Sequence, residues 1–93
     1  IMSYFRVEGV RELRSAPNFK KETLLYTTLN HEGGLKVRAL VVGKTDVYKT
    51  TIGRWYNIIL TAGQWASGGD WISPYQKFWL FLPEDTVIFD YEE

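Results

Sequence analysis

Along residues 35–42 apolar and polar positions alternate. Leu35, Val37, Ala39 and Val41 interleave with Lys36, Arg38, Leu40 and Val42, the period of two expected of a β-strand with one buried face. Residues 55–61 repeat the pattern, with Tyr56, Ile58 and Leu60 set against Trp55, Asn57 and Ile59. Their β-branched and aromatic content suits a pleated surface. Between the two strands lies GKTDVYKTTIGR, punctuated by Gly43 and Gly53 and too short for a crossover helix. The pair is therefore expected to be antiparallel, joined by a basic, threonine-rich turn.

Before this hairpin, residues 3–13 place Phe5, Val7, Gly9 and Leu13 on one face and Tyr4, Arg6, Glu8 and Glu12 on the other. An interior Gly9 predicts a bulge or sharp coil, by which one strand serves two sheets. Arg11 falls on the apolar face unless the bulge shifts the register. Pro17 and Asn18 then mark a loop carrying Arg14, Lys20 and Lys21. Residues 23–30, TLLYTTLN, read as a strand, because three threonines are poor helix formers and the HEGG turn leads straight to a hairpin partner at Leu35. The competing reading is a helix from near Asn18, ending at Gly33. Beyond Ala62 a Gly/Ser/Pro-rich loop, GQWASGGDWISPYQ, carries Trp65, Trp71 and Tyr75. KFWLFL and TVIFDY close the chain as short strands around a turn at residues 83–85.

Short strands about every ten residues predict one all-β domain over residues 2–93, a small antiparallel barrel of five to six strands. Ile1, ahead of Met2, is set aside. An OB-like barrel is the first expectation and an SH3- or Sm-like barrel the second; a helix at residues 18–31 would favour the latter, and with it oligomerisation.

Composition narrows the chemistry. Aromatics make up 16% of the 93 residues, enough to stabilise a small core. The absence of Cys excludes a disulfide, a Cys-based zinc site and a thiol nucleophile, and tilts the expectation towards an intracellular, cytoplasmic location. No apolar run approaches the ~18 residues of a membrane span, and the opening residues lack signal-peptide order. His31 is the lone histidine, in a turn, and Glu84 and Asp85 follow Pro83 as turn residues. Gly43-Lys44-Thr45 lacks the upstream glycine of a phosphate loop. The chain is expected to be neither an enzyme nor dependent on a cofactor or metal.

Zero net charge hides a division. Ten Lys/Arg oppose five Asp/Glu through Arg54, whereas afterwards Lys77 alone opposes six acids. Lys36, Arg38, Lys44, Lys49 and Arg54, beside Tyr48 and Trp55, form a basic and aromatic surface of the kind that holds single-stranded nucleic acid, DNA or RNA: cations neutralise phosphates while flat rings stack on bases. The phrase VRALVVGKTDVYKTTIGRWYNIIL resembles the first hairpin of OB-fold single-strand-binding modules, with an apolar strand bearing Arg, a basic loop, Gly, and an aromatic opening the next strand. That resemblance implies an OB-type barrel whose second and third strands carry the ligand. The alternative sites are Trp65, Trp71, Tyr75 and Trp79, as a stacking platform for a sugar or small ligand or as a contact with a protein partner or second copy.

Overall fold

The computed structural model describes the backbone of residues 2–40, 47–50 and 52–90. It is mostly strand: β1 (Met2–Val7), β2 (Glu12–Arg14), β3 (Leu24–Thr27), β4 (Leu35–Leu40), β5 (Val47–Lys49), β6 (Gly53–Leu60), β7 (Gln64–Trp65), β8 (Trp71–Ile72), β9 (Lys77–Pro83) and β10 (Phe89–Asp90), with a 3-10 turn at Lys21–Thr23. Ten strands pair antiparallel in two sheets around one core. The larger sheet has the order β10-β1-β4-β6-β9-β2-β3, with β5 beside β6; β7 and β8 form a separate hairpin.

The alternation at residues 35–40 does become a strand, and Val37, Arg38 and Ala39 pair antiparallel with Leu60, Ile59 and Ile58. The join between the two is not a simple turn. β5 lies within the segment read as loop and pairs with the first half of β6, through Val47–Tyr56, Tyr48–Trp55 and Lys49–Arg54. The reversal itself is short: Thr50 N–H donates to the Gly53 carbonyl at 2.7 Å, and Thr50 Oγ1 accepts from Gly53 N–H at 3.1 Å.

Gly9 divides the first strand. Its φ of 91° is a left-handed value that other residues adopt at a cost, and it separates β1 from β2. β1 pairs with β4 and β10, whereas β2 pairs with β9 and β3, so the two pieces join opposite ends of the β4-β6-β9 run. Arg11 braces the bend by donating from Nε and Nη2 to the Glu8 carbonyl. The register shift falls further on, between Leu13 and Arg14.

Residues 24–27 form a strand, but its partner is β2 and not β4. Thr28 seals this pairing from a buried position: its N–H donates to the Arg11 carbonyl at 2.7 Å, and its Oγ1 accepts from Arg11 N–H at 2.8 Å.

The core gathers one parity of every long strand. Phe5 and Val7, Leu35, Val37 and Ala39, Ile58 and Leu60, and Phe78, Leu80 and Leu82 are all buried, with Leu13 and Ile72 added from the ends. A second, smaller cluster lies on the other side of the sheet. There the loop after β2 lays Phe19 across Trp55 and Phe81, with ring centroids 4.8 and 5.0 Å apart. Arg14 pins that loop from a buried position. It donates to the Lys20 carbonyl and to Thr23 Oγ1, both at 2.9 Å, and pairs with Glu12 at 3.0 Å, so it is a structural cation and not part of a solvated basic loop.

Candidate nucleic-acid interface

Residues paired across antiparallel strands put their side chains on the same face. Tyr4 stands opposite Arg38, Arg38 opposite Ile59, and Ile59 opposite Lys77. A neighbouring row runs from Phe89 through Arg6 to Lys36. These residues alternate with the buried core positions and therefore form the outward face of β1, β4, β6 and β9. Arg6, Lys36, Arg38 and Lys77 stand on it, and none of the positions in these two rows is acidic.

Two cations on this face are held by rings. Arg6 sets its guanidinium 4.1 Å from the centroid of Phe89. Arg38 donates from Nη1 to the Tyr4 hydroxyl at 3.2 Å, with its guanidinium 5.7 Å from that ring. Arg38 Nε is buried and has no hydrogen-bond partner. A buried donor left unpaired costs roughly 1–3 kcal/mol, more when charged.

Arg38 lines a cleft of ≈ 320 Å³ with Tyr4, Ile59, Thr61 and Tyr75. Tyr75 has a φ of 70°, the one non-glycine among the described residues in the left-handed region, and its side chain is 73% exposed. Its N–H donates to the Leu60 carbonyl at 2.7 Å, which fixes the strained residue beside the end of β6. Strain held at an exposed aromatic brings no packing in return, and such outliers concentrate at binding sites. Tyr75→Gly is expected to raise stability by about 1 kcal/mol, read as a higher denaturant midpoint, because glycine adopts this φ freely.

The candidate residues do not gather in one place. Lys36 and Arg38 stand together on the outward face. Arg54 lies at the opposite parity of β6, with Tyr56, and borders a separate cavity with Leu82 and Glu84. Trp55 is 4% exposed and packs between Phe19 and Phe81, so its ring is not a stacking surface. Tyr48 and Lys49 are placed by backbone register alone, opposite Trp55 and Arg54, and Lys44 lies outside the described residues. Sequence reasoning missed Tyr4, Arg6 and Lys77. The signal for the first two was their alternation with Phe5 and Val7, but nothing local showed that β1 lies beside β4.

The tryptophan-rich loop also divides. Trp65 and Trp71 are register partners on the β7-β8 hairpin, with ring centroids 5.1 Å apart and planes at 65°. They remain 59% and 49% exposed. Behind them Gln64 is buried, its Oε1 3.0 Å from His31 Nε2, which ties the hairpin to the turn before β4. Trp79 belongs elsewhere: it is half-buried on β9, opposite Asn57 and Arg14. Tyr75 borders the Arg38 cleft.

Among the described residues no group of three His, Cys, Asp or Glu is placed to hold a metal, and no helix is long and apolar enough to cross a membrane. No protein-family model, curated protein or solved structure matches this chain.

Proposed function

We propose that the outward face of β1, β4 and β9 binds single-stranded nucleic acid without catalysis, on a sheet coiled in the manner of a small OB-like barrel. The observation that carries this reading is Arg38, a cation on a strand face whose two rows hold no acidic residue, lining a cleft together with Tyr4 and Tyr75. Cations on adjacent strands neutralise successive phosphates, while exposed rings beside them stack on bases. The splitting of the first strand at Gly9, with β1 and β2 joining opposite ends of one run of strands, supports the barrel-like frame. The lack of cysteine suits a cytoplasmic site.

Titration of a labelled, unstructured oligonucleotide, followed by fluorescence anisotropy at several salt concentrations, tests the reading. Four phosphate contacts predict a slope of about −3 for log K against log salt, with duplex binding more weakly. A flat anisotropy trace at low salt would exclude it.

The alternative is a sugar, small-ligand or protein contact at the β7-β8 hairpin, favoured by the two half-exposed tryptophans there. On the leading reading, Trp65→Ala and Trp71→Ala leave oligonucleotide affinity unchanged.

A further inference from the structure

The two tryptophans of the β7-β8 hairpin belong to a longer row. The antiparallel bridge between Thr28 and Ala66, both buried, places their neighbours Leu29 and Trp65 opposite each other on the outer side. Trp65 in turn stands opposite Trp71. Leu29 is 45% exposed and both tryptophans are half-exposed, so three large apolar side chains lie in water, in one line across β8, β7 and the residues after β3.

Trp71 is held in place within this row. A Cβ built on Gly63 would fall 2.5 Å from Trp71 Cζ2 and 3.2 Å from Pro74 Cδ, so the six-membered ring rests on the glycine backbone beside the proline. The Trp65 ring packs against it as well, with centroids 5.1 Å apart. A ring fixed before its ligand arrives loses little freedom on binding.

The surroundings select the ligand. Residues 27–35 and 61–76 contain no Lys or Arg, and their only acids are Glu32 and Asp70. A phosphate-bearing ligand would find no cation in either stretch. Two copies meeting on the row would set these acids against their own counterparts with no cation to offset them. The row spans about 10 Å across three strands, whereas a stable protein contact takes roughly 800 Å² from each partner. An uncharged sugar chain meets all three conditions. Its rings lay C–H faces on the indoles one at a time. Ser67 and Ser73, exposed and two residues on from each tryptophan, supply hydroxyls to bond with its own. The C–H face is fullest where every ring substituent is equatorial, as in β-linked glucose, and the axial hydroxyl of mannose interrupts it.

We infer that the row of Leu29, Trp65 and Trp71 is a second site, for an uncharged β-linked glycan of equatorially substituted hexoses that stacks on the two indoles. The inference rests on the hairpin alternative above, to which it gives one ligand class, and is independent of the strand face.

The test is isothermal titration calorimetry with cellohexaose and with mannohexaose as probes. The expected result is that cellohexaose binds more tightly than mannohexaose, with an affinity that does not change between about 50 and about 200 mM salt. Trp71→Ala and Trp65→Ala each weaken cellohexaose by about tenfold or more. Trp71→Tyr, which keeps a ring, recovers part of the loss, and Lys36→Glu/Lys77→Glu binds the glycan as wild type does. Should Trp71→Ala fail to fold, Trp65→Ala, at the more exposed position, carries the test. No heat with either glycan, equal affinity for both, or tryptophan variants that bind as wild type would each overturn the inference. If the wild type takes neither glycan yet sediments as a dimer that Trp65→Ala splits, the glycan is overturned while the hairpin stands as a contact between copies.

Discussion

Trp55→Ala will lower unfolding stability by about 3–5 kcal/mol, the range for truncating a buried tryptophan. The indole is 4% exposed and meets Phe81 on the next strand and Phe19 from the loop that Arg14 holds, with centroids 5.1 and 4.8 Å away. Its loss opens a cavity between sheet and loop and leaves Phe19, already exposed, with Phe81 as its remaining ring partner. The same variant distinguishes the two roles open to this residue. A surface stacking platform would lose oligonucleotide affinity at little cost in stability. The packing seen here predicts the reverse, with urea denaturation shifted strongly and, under conditions where the variant remains folded, affinity close to wild type. Trp55→Phe should recover most of the loss, because a ring still fills the site.

Gly34→Ala will cost about 3 kcal/mol, read from the same denaturation curves. Two effects add. Gly34 has a φ of 70°, where a side chain costs about 1–2 kcal/mol. A methyl built there would also fall onto the Val7 carbonyl, 2.8 Å from its carbon and 3.2 Å from the Glu8 Cα, so the end of β1 would have to move. Overpacking of this kind adds roughly 1–3 kcal/mol. Gly33→Ala is the control: it shares the left-handed φ, but nothing lies within 4 Å of its added methyl, so it should show the conformational cost alone.

The β class was legible because it is written locally. The period of two at residues 35–40, and at Tyr56, Ile58 and Leu60, reports a buried face whichever strand lies alongside, and Gly9 signalled the break in the first strand. Pairing is a different kind of information. Residues 24–27 look like a strand, yet nothing in LLYT shows that β2 takes it and that β4, next in the chain, does not. The candidate site depended on such pairings. Arg38 and Lys36 were visible as outward cations on an apolar strand, whereas Tyr4 and Lys77 join them only because β1 and β9 flank the β4-β6 pair.

Aromatic residues were the least legible. Trp55 and Trp65 both lie on strands, but the loop bearing Phe19 covers one and leaves the other in water. Sequence proximity also misled at Arg54, which neighbours Trp55 in the chain but stands on the opposite face of the sheet, away from Lys36 and Arg38. The charge division along the chain is real, yet the surface it suggested is partly replaced by Arg6 and Lys77, the latter from the acidic half.

Oligonucleotide affinity measured by anisotropy for a Lys36→Glu/Lys77→Glu double variant, with Arg54→Glu as its partner control, tests the face assignment most directly. All three positions are exposed, so folding should survive each change. Binding on the outward face predicts that the double variant loses affinity by about tenfold or more and shows a shallower salt slope, while Arg54→Glu stays within about twofold of wild type. A larger loss for Arg54→Glu, with the double variant binding as tightly as wild type, would contradict it.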